Sequence, residues 1–318
     1  MSDYAVSLND VRLAARRLAD VVHKTPTMTC RTLDRIAGAA LFLKCEHFQR
    51  VGAFKFRGAF NFVTQLSDEE AGRGVVTHSS GNHAQALALS AGLRGIDARI
   101  VMPTHVVPAK RRAVEGYGAQ IIDCEPKLEA REATAQRVVE ETGGIFVHPY
   151  DHPRIIAGQG TVALEIFEQV GPLDAIIAPV GGGGLLSGVA MAATEVIPGI
   201  RVFGAEPEGA DDAARSLAAG ELVPQLAPRT IADGLRTGLG EWTWPIIRDR
   251  VEGIITVSEE EIVRAMRLTW ERAKLLIEPS AAVAVAAALS PKFRLFGSVN
   301  RLGIVLSGGN VDLDDLPW

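Results

Sequence analysis

AIIAPVGGGGLLSGVAMAATEV, residues Ala175–Val196, reads as three pieces in a fixed order: a buried strand (Ala175–Val180), four consecutive glycines (Gly181–Gly184) and a helix (Leu185–Val196). A strand that turns through glycines straight into a helix is the unit of an α/β sheet. Four glycines let the backbone aim its N–H groups at one point, and the dipole of the helix that follows favours an anion there. A phosphate site follows from that combination. The spacing is neither GxGxxG nor GxxxxGK[ST], but Glu206 closes the next strand, Arg201–Ala205, where a dinucleotide-binding fold places its ribose acid. At this level a nicotinamide-dependent oxidoreductase stays open beside other phosphate ligands.

The same strand–turn–helix unit recurs outward in both directions. Upstream, apolar strands are expected at Gly74–Thr77, Ala98–Met102, Ala119–Asp123 and Gly144–His148, with helices in the intervals. Downstream come strand Gly253–Val257, helices Glu259–Leu276 and Ser280–Leu289, and a last strand Gly303–Leu306 that runs into SGGN. Strands alternating with helices imply parallel, right-handed α/β sheets. The fold class is therefore α/β with two domains, each a mainly parallel sheet flanked by helices. The expected division is a small inserted domain, 73–151, within a large domain made of 1–72 plus 152–318, with no low-complexity linker between them. The segment Gly209–Glu241, rich in Gly, Pro and Ala, reads as irregular connections near a site.

With 318 residues, 47% hydrophobic and 22% charged, the chain is an ordinary soluble globular protein long enough for about two domains. A net charge of -5 with dispersed Lys and Arg argues against nucleic acid as a partner. Three cysteines, none in a CxxC pair, form no closed disulfide framework and suit a reducing compartment. The longest apolar run, Ala281–Leu289, has nine residues against the roughly 20 needed to cross a bilayer. The first helix repeats Leu8, Val11, Ala15, Leu18 and Val22 at amphipathic spacing and is no signal peptide, so a cytoplasmic protein without membrane contact is expected.

Candidate chemistry gathers in three further stretches. In VGAFKFRGA, Val51–Ala59, Lys55 lies between Phe54 and Phe56 near a helix start. Apolar rings solvate an ammonium poorly and the N-terminal dipole disfavours it, so the free amine becomes available as nucleophile or base. In Ser79-Ser80-Gly81-Asn82-His83, two hydroxyls, an amide and backbone N–H groups collect at the carboxyl end of a parallel strand, more than one helix cap requires. That loop suits a carboxylate, with Ser80 available for proton transfer. Ser307-Gly308-Gly309-Asn310 ends the last strand at a similar edge, and Glu206, Asp211 and Asp212 form an acidic group open to a hard cation or to solvent.

In combination these stretches resemble the serine racemase and threonine dehydratase family of fold-type-II pyridoxal-phosphate enzymes. The resemblance runs from Leu8 to Leu313 and is carried by FKFRGA (Phe54–Ala59), THSSGNHAQAL (Thr77–Leu87), AGQGT (Ala157–Thr161), PVGGGGLLSG (Pro179–Gly188), AEP (Ala205–Pro207), TIADG (Thr230–Gly234), LLIEPS (Leu275–Ser280) and VLSGGNVD (Val305–Asp312). It implies pyridoxal 5'-phosphate attached at Lys55, flanked by Phe54, with Asn82 on its ring oxygen, Gly181, Gly182, Gly183 and Gly184 on its phosphate, and Ser307 facing its pyridine nitrogen. A serine there makes the ring a weaker electron sink than a carboxylate would, which favours rapid loss of a β-substituent. The resemblance further implies that Ser79, Ser80, Asn82 and His83 bind substrate, that Lys55 and Ser80 exchange protons on opposite faces of the α-carbon, and that Glu206, the carbonyl of Ala210 and Asp212 hold magnesium or another divalent cation. A homodimer acting on a small hydroxy-amino acid is expected.

The leading reading is an ammonia-lyase that dehydrates L-threonine and L-serine to 2-oxo acids. Serine racemase and 3-hydroxyaspartate dehydratase are the alternatives within the family, and an oxidoreductase or an inactive ligand-binding protein outside it. Ala53 replaces a serine common before the Phe-Lys pair, and Tyr150 replaces the asparagine of mammalian racemases. HPYDHP, His148–Pro153, is more like microbial hydroxy-amino-acid dehydratases, and Arg131 could reach a second carboxylate.

Overall fold

The computed structural model describes residues 4–106 and 108–318. Its strands are β1 (Thr27–Met28), β2 (Ala40–Cys45), β3 (Val75–His78), β4 (Ala98–Pro103), β5 (Gln120–Cys124), β6 (Ile145–Phe146), β7 (Ala175–Pro179), β8 (Arg201–Pro207), β9 (Gly253–Val257) and β10 (Arg301–Leu306). They form two sheets, one of six strands in the order β1-β2-β10-β7-β8-β9 and one of four in the order β5-β4-β3-β6. All pairings are parallel except β1 with β2. The expected α/β class with two mainly parallel sheets is what the chain adopts.

Burial explains the sheet order. All five residues of β7 are buried and β10 is buried beyond Arg301, so these strands sit at the centre, under helices on both faces. One face is covered by the helix Pro279–Leu289, nine of whose eleven residues are buried, and the other by Gly184–Val196 and Pro153–Val170. Among the described residues no helix is long and apolar enough to cross a membrane.

Two expected elements come out shorter. The strand expected at Gly144–His148 pairs only at Ile145 and Phe146, because the chain then turns and the Nδ1 of His148 accepts the N–H groups of Tyr150 (3.3 Å) and Asp151 (2.8 Å). The helix expected at Glu259–Leu276 is regular only to Leu268, widens into a π turn at Thr269–Ala273 and stops at Lys274, whose φ of 60° is left-handed. The left-handed Lys274 ends the helix, and Pro279 then holds the residue before it extended, Glu278 taking φ -80° and ψ 163°.

The helix Lys55–Val63 is seated by close packing and by buried charge. It crosses Pro153–Val170 so tightly that a Cβ on Gly158 would lie 2.6 Å from the Cα of Gly58, which only glycine on both helices allows. Beside the crossing, Arg57 is fully buried and donates to Glu46 (2.7 and 2.8 Å) and Glu165 (2.6 and 2.8 Å), while Lys44 donates to Glu165 at 2.8 Å. Two cations thus face two anions. Removing one partner from such a group strands the others and costs about 3–5 kcal/mol.

Candidate active site

The reactive segment is tied to the end of β10 before its helix begins. Ala53 bridges Gly308 and the Phe54 N–H donates to the Ser307 carbonyl at 3.0 Å, which joins the FKF and SGGN stretches into one local structure. Just upstream, Val51 has φ 55°, a costly conformation for a β-branched residue. Its carbonyl is held by the Asn310 side-chain amide at 2.7 Å. Lys55 is then the first residue of the helix, half-buried, with its Nζ 5.2 Å from the Phe54 ring centre and donating to the Pro149 carbonyl at 2.8 Å. Loss of solvent lowers its pKa to about 8, partly offset by the nearby Glu278 carboxylate. A useful fraction of this amine is unprotonated at neutral pH.

The four glycines lie where the sequence puts them, at the end of β7 and the start of Gly184–Val196. Among the described residues the N–H groups of Gly181, Gly182 and Gly183 have no hydrogen-bond partner. Their outer faces are closed by protein: a Cβ on Gly181 would lie 2.9 Å from the Cα of Leu235, and one on Gly182 2.3 Å from the Tyr150 ring. Gly183 has φ +88°, and a Cβ there would lie 2.8 Å from the Thr243 side chain. The glycines therefore serve two purposes, close backing by neighbours on one side and open N–H groups at a helix start on the other. That cradle fits a phosphate.

The Ser79–His83 loop closes the site from the smaller sheet. Ser79 follows β3, Ser80 is half-buried, and the helix begins at Asn82. Asn82 reaches across to the larger sheet, donating to Glu278 Oε1 at 2.9 Å and accepting from Asn310 at 2.8 Å. His83 lies deeper than a surface carboxylate clamp would: it is 3% exposed, its Nε2 is 3.3 Å from the Val147 carbonyl, and its Nδ1 has no partner among the described residues. Since a carbonyl only accepts, the Nε2 carries the proton. Burial and the charge of Lys55 hold the ring well below the usual histidine pKa, so it is neutral. Ser307, buried, contributes its carbonyl to the Phe54 bond described above.

Glu278 and Asn310 had no role in the sequence reading, although LLIEPS and SGGN contain them. An acid inside an apolar run directly before proline was the available signal. Glu278 is buried, accepts the Asn310 N–H on Oε2 at 3.1 Å as well as the Asn82 amide, and has its pKa pushed up to about 8 by burial and by Asp233. Pro149 was likewise missed because a backbone carbonyl leaves no mark on residue type.

The acidic group sits apart, at the end of β8. Glu206 Oε1 and Oε2 accept the N–H groups of Ala213 (3.1 Å) and Ala214 (2.8 Å), so this carboxylate caps the helix Asp212–Ala219 across a loop, while the adjacent Asp211 makes no side-chain cap. The cap uses one acceptor position on each carboxylate oxygen. Asp212 accepts from Gln225 (3.0 Å) and from the Leu239 N–H (3.1 Å). Both carboxylates are buried; Glu206 is raised well above the carboxylate range and Asp212 to about 6, by burial first, with Asp212 adding to the shift of Glu206. Asp212 is thus close enough to disfavour the charge of Glu206, and among the described residues no group of three or more His, Cys, Asp or Glu side chains is gathered as a metal site.

Comparison with known proteins agrees with this geometry. Residues 18–308 match the family of pyridoxal-phosphate dependent enzymes. The chain is 50% identical over 313 residues to a serine racemase of Oryza sativa subsp. indica, covering 98% of this chain and 92% of that one. It is 48% identical over 315 residues to a beta-hydroxyaspartate dehydratase of Paracoccus denitrificans, covering 99% of each. The solved structure of maize serine racemase superposes with a TM-score of 0.96 at 49% identity, covering 98% of this chain and 95% of that one.

Proposed function

The chain belongs to the pyridoxal-phosphate-dependent enzymes, within the group that holds serine racemases and hydroxy-amino-acid dehydratases, and from that membership we propose that it is a serine racemase that also eliminates water from its substrate. The observation that carries the proposal is the half-buried Lys55 amine, whose pKa is lowered to about 8 beside the helix that begins at Asn82, in a chain half identical to serine racemases along nearly its full length. The comparisons favour racemisation over the threonine and serine dehydratase that the sequence alone put first. Family membership removes the oxidoreductase.

In this reading the N–H groups of Gly181–Gly184 bind the cofactor phosphate, Lys55 anchors its aldehyde carbon, Asn82 faces its ring oxygen and Ser307 its pyridine nitrogen. When bound, pyridoxal phosphate withdraws electrons from the substrate's α-carbon and makes its proton labile. Phe54 excludes water from one side of the amine. Ser79, Asn82 and the loop N–H groups bind the carboxylate, with His83 supporting the loop from below. Lys55 Nζ takes or gives the α-proton on one face and Ser80 Oγ on the other, which inverts the centre. Loss of the β-hydroxyl competes with reprotonation and leads to a 2-oxo acid and ammonia. Glu206, the Ala210 carbonyl and Asp212 hold a divalent cation that neutralises the acid pair. The domain division at 72/73 and 151/152 puts the two faces of the cleft on different domains.

A second reading, 3-hydroxyaspartate dehydratase, is favoured by the Paracoccus relative and by Tyr150, whose ring lies against Gly182 beside the pocket. Incubating the holoenzyme with L-serine, D-serine, L-threonine and the 3-hydroxyaspartate isomers, and measuring enantiomers and 2-oxo acids together, tests both. Interconversion of the serine enantiomers supports the proposal; 2-oxo acid from hydroxyaspartate alone favours the second reading. Failure of borohydride to fix the cofactor on the Lys55 peptide would refute either.

A further inference from the structure

One ion pair crosses the cleft rim without belonging to the site. Lys110 lies on the helix Pro108–Gly116, which follows β4, and Asp233 opens the short turn Asp233–Leu235 that packs on the larger sheet. Their charged atoms are 2.5 Å apart, with side chains 28% and 45% exposed. β4 neighbours β3 and runs parallel to it, so the start of Pro108–Gly116 and the Ser79–His83 loop leave the smaller sheet at the same carboxyl edge.

The Asp233 end is rigid and touches the site from behind. Ala232 and Leu235 are buried in the core, the Leu235 backbone backs Gly181, and the Gly234 N–H donates to Ser280 Oγ at 3.0 Å, two residues beyond Glu278. The two charges of the pair also act on Glu278 in opposite senses, Asp233 raising its pKa and Lys110 lowering it. Breaking the pair therefore removes one tie between the helix that carries Lys110 and the larger sheet, and leaves the bonds of Asn82 to Glu278 and Asn310 as the remaining hold on the loop.

We propose that Lys110 and Asp233 are positioning residues that latch the smaller sheet over the cleft, holding the Ser79–His83 loop at its working distance from Lys55. The latch rests on the proposed function for its catalytic consequence but not for its structural one. Because the pair is part-exposed its strength is modest and screened by salt, so its loss should change closure a few-fold and not abolish it.

The test uses the holoenzyme with Lys110→Met, Asp233→Asn, the charge-preserving Lys110→Arg, and the reversed pair Lys110→Asp with Asp233→Lys. Amide hydrogen exchange of residues 79–83 is followed alongside KM and kcat on L-serine. Each neutralising variant should speed exchange in 79–83 and leave 175–179 unchanged, and should raise KM by about two- to five-fold with a smaller change in kcat; the arginine variant and the reversed pair should return both toward wild type, and high salt should narrow the differences. Unchanged exchange and KM in both neutralising variants would overturn the latch, as would a reversed pair no better than either single change. A wild-type protein without activity on any hydroxy-amino acid, whose exchange nonetheless responds as described, would overturn the proposed function and leave the latch standing.

Discussion

At the residue scale the molecule turns on two groups whose pKa values meet near 8 from opposite directions. Lys55 comes down from 10.5 and Glu278 comes up from 4.5, both chiefly by burial. Reductive methylation of the cofactor-free protein should therefore modify Lys55 with a midpoint near pH 8, while surface lysines respond about two units higher. Glu278→Gln removes a negative charge that raises the Lys55 pKa, so the same midpoint should fall below 8. An unchanged midpoint would show that the two groups do not sense each other. Lys55→Ala should lower exchange of the substrate α-proton, followed by NMR in heavy water, by at least about 10²–10⁴-fold, the usual contribution of a positioned base. Ser80→Ala should suppress racemisation more than elimination, since only inversion needs a proton on the second face.

At the level of elements, each part of the site is a strand end supported from behind. Gly182→Ala pushes a methyl into the Tyr150 ring, whose backbone is held by neighbours, and should cost about 1–3 kcal/mol in thermal unfolding and weaken cofactor retention. The Asp212–Ala219 helix start offers a different test. If Glu206 and Asp212 hold a cation as proposed, it replaces a proton there, so magnesium should raise the melting temperature at pH 7.5 and much less at pH 5, where Asp212, with its pKa near 6, is mostly protonated. A melting temperature indifferent to magnesium and to chelation would count against the cation. The Lys55–Val63 helix depends on Arg57 in the same way: Arg57→Ala should cost several kcal/mol, and Arg57→Lys should recover little, because one ammonium cannot satisfy two carboxylates in a forked geometry.

At the scale of the whole molecule, burying titratable groups between two sheets makes stability depend on pH with a definite sign. Glu278, raised in the folded state, contributes stability that is present below its unfolded pKa of about 4.5 and is lost as the pH rises through 8. Lys55, lowered, contributes in the opposite sense, with stability lost as the pH falls from 10.5 through 8. The cofactor-free protein should therefore lose stability between pH 5 and 8 and recover some above it, and Glu278→Gln should flatten the first part of that curve in denaturant unfolding. Much of this architecture was legible in the chain. Strand–helix alternation, the glycine run and a lysine between aromatic rings each depend on neighbours within a few residues, and local periodicity and residue type report such neighbours faithfully. What tertiary structure alone decided is how distant pieces converge: Pro149 on Lys55, Glu278 and Asn310 on Asn82, Tyr150 on Gly182, and Glu206 as the cap of a helix it does not precede directly. Those contacts join residues far apart in sequence, and the burial that shifts Lys55 and Glu278 toward a common pKa exists only once the two sheets close on each other.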